Sequence, residues 1–430
     1  MASPDFVSAV ASVSNIPASE KTKGYQTLLQ QALTSGNSAE EKGENLVAYS
    51  DSLLSSSGLN IISLRPLLTQ LIKALEAAPS EVKVRVGAHL SELIQPQVAS
   101  FEEQDAALRT TLADGYEAEE DFSAAAKALQ GIHLESTQRQ ISDVEKVKTW
   151  VRIVRCYLED DDTVSAETAL NRIKNSNAAV QVLQSNPDLA LHYQLSQARI
   201  LDSRRDFLNA SAEYLNVSNN SAVDETDRLA ALAAAIRTAI LAPAGPARSR
   251  TLNKLYKDER SSETQDYSIL ENMFLDRLLA PAEVEAFAAN LMPHQLAKTA
   301  DGSTVLSKAV LEHNLIAASH LYENISTASL AGLLGLKDGK DDTAAEKAED
   351  YAARMVEQGR LRAQIDQIAS VITFESIPGI VSQGHARELR GWDTGVQGLV
   401  EDVERYATAI TESFPVSLAI ESISKTANQK

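Results

Sequence analysis

One short pattern recurs through the middle of the chain and limits what it can fold into. Phe122, Val164 and Phe207 stand about 42 residues apart. Each is followed within roughly a turn by alanine and then a large apolar residue: Ala125 with Leu129, Ala166 with Leu170, Ala210 with Tyr214. Small-then-large at that spacing marks a buried helix face, so Tyr116 to Tyr214 reads as a series of helical hairpins. A unit of about 35 to 45 residues cannot bury its apolar face alone and must stack on neighbours. Such stacks usually bind other proteins.

The same grammar extends on both sides. Leu64, Leu67, Leu68, Leu71, Ile72 and Leu75 form one helical ladder, with Pro66 expected in its first turn. Pro243, Gly245 and Pro246 break the pattern between hairpins, and the stack is expected to run to about Pro293. After that the order changes. Val305 to Leu321 carries one apolar helix face, Ser329 to Leu336 suggests a short second helix, and Ala344 to Glu357 a third, closed by Gly359. Two β-prone runs follow, Gln364 to Ile368 and Ser370 to Phe374. Three helices and a hairpin make a winged helix. In the tail, Trp392, Val396, Leu399, Val403, Tyr406 and Ile410 alternate four- and three-residue spacings, a coiled-coil seam that needs a partner.

Composition agrees with a mainly α protein. Aromatic residues are only 5% while apolar residues reach 44%, which favours helices packed through small side chains over sheets. The net charge of −19 repels phosphate backbones, so general nucleic-acid binding is disfavoured. Cys156 is the single cysteine, so no intrachain disulfide framework is available and a reducing compartment is expected. The first nineteen residues lack Lys and Arg, which argues against a secretory signal. The longest apolar run, Leu229 to Ala242, is interrupted by Arg237 and too short to cross a bilayer. Cytoplasm and nucleus are the expected locations, without membrane association.

Five strings are more specific than either fold signal: YLEDDDTVSAETALNR (157–172), RILDSRRDF (199–207), RSRTLNKLYKDER (248–260), EAFAANLMPHQ (285–295) and TADGSTVLSKAVLEHNL (299–315). In order, over about residues 100 to 376, they resemble the subunit-four family of the COP-nine signalosome, a branch of the PCI-domain proteins. The chain departs from it in the acidic linker Lys337 to Asp342 and in the tail. The resemblance implies a TPR-like helical-repeat arm over 1–200, the helical part of a PCI domain over 201–298, its winged-helix part over 299–376 and a helical tail over 385–430. It implies a non-catalytic scaffold, receiving substrate for a complex that removes Nedd8 from cullin-RING ubiquitin ligases. The implied partners are other PCI subunits, the catalytic metalloisopeptidase subunit pair and the neddylated cullin-RING ligase. PCI subunits also build the proteasome lid and eukaryotic initiation factor three, which remain alternatives. The interface residues expected are Gln364, Ile365, Ile368, Val371, Ile372 and Phe374 in the wing hairpin, whose outer strand can extend a neighbour's sheet. In the tail helix they are Trp392, Val396, Leu399, Val403, Tyr406 and Ile410.

Chemistry of its own is not expected: no catalytic, cofactor or metal residues are assigned. No two histidines have the spacing of a zinc isopeptidase, and His313 and His320, one helix face apart, lack a third ligand. Gly335 to Lys340 has the wrong spacing for a phosphate loop. Cys156, beside Trp150, Ile153 and Tyr157, reads as an inert buried thiol. The acidic turn Glu159 to Asp162 and the basic string Arg248, Arg250, Lys254, Lys257 and Arg260 read first as solvated surfaces and second as docking patches. A winged helix can also read DNA or RNA, but its third helix, from Ala344 to Gly359, carries more acidic than basic residues.

Overall fold

The computed structural model describes residues 4–14, 18–34, 38–56, 58–135, 140–298, 303–336, 341–374, 396, 399–400 and 402–409. They divide into two compact units, Met1–Asn314 and Leu315–Lys430.

The first unit is helical. Its helices are α1 (Pro4–Ser14), α2 (Ala18–Thr34), α3 (Ala39–Asp51), α4 (Ile61–Glu76), α5 (Ser80–Ile94), α6 (Glu102–Ala118), α7 (Phe122–Gln130), α8 (Asp143–Glu159), α9 (Thr163–Asn175), α10 (Asn177–Ser185), α11 (Pro187–Ser203), α12 (Phe207–Ser218), α13 (Glu225–Leu241), α14 (Pro246–Tyr256), α15 (Tyr267–Phe274) and α16 (Pro281–Ala288). The helix α17 (Val305–Leu321) crosses into the second unit. Contacts run mainly between successive helices, which is the behaviour of a repeat stack. The apolar interior is accordingly divided along the chain. One core gathers Phe6 through Leu108, the next Ala106 through Ile200, and the third Ala198 through Val310. Helices α6 and α11 each place residues in two cores, so neighbouring cores share a wall.

The recurring turn explains the sequence repeat. Glu120, Asp161 and Arg205 adopt left-handed backbone with φ of 62°, 57° and 64°. The following aspartates, Asp121, Asp162 and Asp206, each send their N–H back at 2.9 Å, to the carbonyls of Tyr116, Tyr157 and Leu201. This closes one helix and opens the next. Asp121 and Asp162 also accept the N–H groups of Ala124 and Ser165 at 3.0 and 3.1 Å, satisfying helix-start donors.

That geometry corrects the register. Thr163, not Val164, matches Phe122 and Phe207 as the first helical residue, and Val164 is 74% exposed. Ala166 and Leu170 remain buried because they sit on the inner face whichever residue begins the helix. Pro66 also moves. Asn60 caps the start of α4 at Ile61, so Pro66 lies in the second turn, where it is tolerated on the exposed face.

In the second unit, β1 (Asn324–Ser326), α18 (Thr327–Leu333), α19 (Asp341–Glu357), β2 (Ala363–Asp366) and β3 (Val371–Phe374) follow in order. The strands form an antiparallel sheet ordered β1-β3-β2, with Ile372 opposite both Ile325 and Ile365. The mainly α repeat stack with a winged helix is therefore the observed fold. The three-residue β1 has too few alternating positions to register in the sequence, so it was not anticipated. The wing strands are shorter than expected: Ile368 and Ser370 lie in the turn, ordered by the Asp366 carboxylate accepting the N–H groups of Ile368 and Ala369, both at 3.0 Å. Gly359, with φ of 67°, closes α19 as expected.

Candidate interaction surfaces

The wing residues separate by burial. Ile372 and Phe374 face the unit's own core, Ile365 and Val371 are half-buried, and Gln364 and Ile368 are exposed, Ile368 completely. This follows from the sheet order. The strand β3 is central, paired on one side with β1 and on the other with β2, so it has no free edge, contrary to the expectation of a two-stranded wing. Among the described residues the outer strands are β1 and β2. Beside β1, Leu321 and Tyr322 are 63% and 43% exposed. A short edge flanked by exposed apolar side chains can accept an extended segment through backbone hydrogen bonds.

The tail seam presents a helix. Val396, Leu399, Val403 and Tyr406 lie in described helical residues and are each more than half exposed. Trp392 and Ile410 lie outside the described residues, as does the greater part of the linker at Lys337 to Asp342.

On α19 the exposed side chains are Glu346, Lys347, Asp350, Arg354 and Glu357, and Arg354 is paired to Asp350 at 2.9 Å. Glu349 accepts from the Gln367 amide at 2.6 Å. A phosphate-binding helix would keep its cations free.

Several polar side chains of the first unit fasten its own fold. Glu312 accepts the N–H of Ala244 at 3.1 Å. The His313 Nε2–H donates to the Arg277 carbonyl at 2.8 Å, so that nitrogen is engaged. Asn314 brackets Leu279, accepting its N–H at 2.9 Å and donating to its carbonyl at 3.3 Å. Asp202 is buried and accepts the Gln295 amide at 3.0 and 2.9 Å, with His294 Nε2 at 3.3 Å. Thus RILDSRRDF and EAFAANLMPHQ, far apart in the sequence, meet in one polar core.

Two further expectations change in the same way. Arg248 is buried, donating to the Ala242 carbonyl at 3.2 Å, and is not part of a solvated face. Arg260 binds Asp258 at 2.6 Å and the Ser218 carbonyl at 3.0 Å. In the acidic turn, Glu159 pairs with Arg199 at 2.6 Å, joining consecutive hairpins. Periodicity could not disclose these roles, because the partners are backbone atoms or lie tens of residues away.

Cys156 is 3% exposed and its thiol donates to Glu117 at 3.2 Å. Burial first, and then the Glu117 carboxylate, push the thiol up to about 12, so it stays protonated. Burial alone would raise Glu117, but hydrogen bonds from Arg152 and Cys156 carry it below its ordinary value. Among the described residues no group of three His, Cys, Asp or Glu side chains is placed to hold a metal, and no helix is long and apolar enough to cross a membrane.

Comparison with known families agrees with this architecture. The family described as "PSMD12/CSN4, N-terminal" matches residues 12–226, and the PCI domain matches 270–376. A protein of Emericella nidulans named COP9 signalosome complex subunit 4 is 54% identical, covering 97% of this chain and 100% of the relative. Proteins of the same name from Dictyostelium discoideum and Drosophila melanogaster are 39% and 36% identical over 90% and 91% of the chain. The match spans stack, polar core and winged helix together, and the chain belongs to the COP9 signalosome complex subunit 4 family of PCI-domain proteins.

Proposed function

We propose that this chain is a non-catalytic scaffold and substrate-receiving subunit of the signalosome, the assembly that removes Nedd8 from cullin-RING ubiquitin ligases. Near full-length similarity to subunits of that name carries the reading. The outer strands β1 and β2 and the exposed tail seam support it, as surfaces suited to backbone pairing and helix bundling with other PCI subunits. Under this reading the repeat stack holds the cullin-RING substrate, the hydrolytic zinc belongs to another subunit, and the protein works in cytoplasm and nucleus. The polar side chains that could attract a catalytic assignment, Cys156, His313 and Glu312, are engaged within the fold.

The test is reconstitution. The purified chain should leave a Nedd8–cullin conjugate intact, and a complex assembled without it should process that conjugate at least tenfold more slowly than the full complex. Turnover by the isolated chain, or full activity without it, would refute the proposal.

A further inference from the structure

We infer that the outer stripe of α14 is a docking site for an acidic helix face on a neighbouring chain. Of the five cations in the string 248–260, Arg248 and Arg260 are consumed inside the fold. The remaining three behave differently. Arg250 and Lys254 on α14 and Lys257 at its C-terminal cap, still in helical backbone, are all exposed and spaced by four and three residues, so they line one side. They cover about 10 Å of rise.

None of the three is ion-paired among the described residues. Arg250 donates only from Nε to the Pro246 carbonyl within its own helix, at 3.3 Å. Asp258, next to Lys257, holds Arg260 instead, at 2.6 Å. Three uncompensated cations in a row run against the chain's net charge of −19. Elsewhere in this unit, Arg199 pairs across hairpins with Glu159 and Arg204 with Glu167.

Charge complementarity and spacing specify the occupant: a helix whose Asp or Glu side chains repeat at four- and three-residue intervals. Such pairing supplies orientation and association rate more than affinity. The stripe also has a firm base. Tyr256, next to Lys257, stacks on Phe274 with ring centroids 4.4 Å apart, which fixes the end of α14 against α15. A single-stranded RNA could follow the same cations, but the chain's net charge of −19 favours a partner with fewer, spaced charges.

This inference rests on the reading of the chain as an assembly subunit, and one experiment separates the two. Acetylation rates of Lys254 and Lys257 are measured by mass spectrometry in the free full-length chain and in the purified complex, followed by zero-length carbodiimide cross-linking. The expected result is at least fivefold protection of both lysines in the complex, with a cross-link from one of them to an Asp or Glu of another subunit. The combined variant Arg250→Glu, Lys254→Glu, Lys257→Glu should keep its melting temperature and lose that cross-link. Unchanged reactivity in the complex, cross-links confined to this chain, or protection abolished by nuclease would each overturn the stripe. A chain that joins no complex would refute the subunit reading instead.

Discussion

Two stretches of the first unit reach the same packed state by different means. From α6 to α13 the helices are held by apolar faces and a turn repeated with the same hydrogen bond three times. From α14 to α16 the helices are short, and side chains of α17 such as Glu312, His313 and Asn314 grip backbone groups more than thirty residues away. The first stretch is largely modular, since most of its contacts lie within or between adjacent hairpins, the bond from Gln295 to Asp202 being an exception. The second is interdependent. Polar brackets fix the irregular segments that join the last helices of the stack.

The largest effect should come from Asn314→Leu. It removes the partner that the buried Leu279 N–H and carbonyl share among the described residues, at a place where water does not reach. Two stranded backbone groups at about 1 to 3 kcal/mol each cost roughly 2 to 6 kcal/mol, measured by urea denaturation of the full chain. A loss below about 1 kcal/mol would show that the bracket is incidental and erase the contrast between the stretches.

Leu170→Ala probes the modular stretch. The side chain is 6% exposed within the second core, and its truncation should cost about 2 to 5 kcal/mol. Because the second core meets the first at α6 and the third at α11, the loss should appear in hydrogen exchange mainly from α7 to α11. Equal loosening of α2 to α5 would mean that the stack unfolds as one block.

Much of this was legible in the sequence, and the omissions have a common cause. Ala125, Leu129, Ala166, Leu170, Ala210 and Tyr214 are all buried as the periodicity requires. Helical ladders report which face is inward, so cores and helix order follow from local pattern. They do not report hydrogen bonds between distant polar groups. Arg248 therefore read as a surface residue and His313 had no assigned partner, although both donate to carbonyls. The sheet failed for a related reason. Without β1, β3 had to be taken as an edge strand, and the side chains assigned to an interface included Ile372, which is fully buried. The tail residues Trp392 and Ile410 lie outside the described residues, and their assignment stays an expectation.

Asp162→Ala tests the shared turn at moderate amplitude. Hydrogen bonds from Ser165 hold the Asp162 carboxyl below its ordinary value, and its loss as a cap should cost about 1 kcal/mol. A carboxylate with a lowered folded value stabilises above its unfolded pKa and ceases to do so as pH falls through the folded one. The difference between parent and variant should therefore shrink on acidification. A difference independent of pH would assign the effect to helix propensity and not to the charged cap.

The smallest effect expected is the sharpest check on the register. If Val164 held the place of Phe122 and Phe207, replacing it with Ser would strip a core contact and cost more than about 1 kcal/mol. The structure puts it one residue beyond Thr163, exposed on α9, where surface substitutions change stability by about 0.5 kcal/mol or less. Val164→Ser should therefore match the parent in denaturant midpoint, while Phe207→Ser, at 3% exposure in the equivalent first position, should not. The pair separates two definitions of the repeat. One counts apolar residues along the sequence, and the other counts from the capping aspartate that ends each left-handed turn.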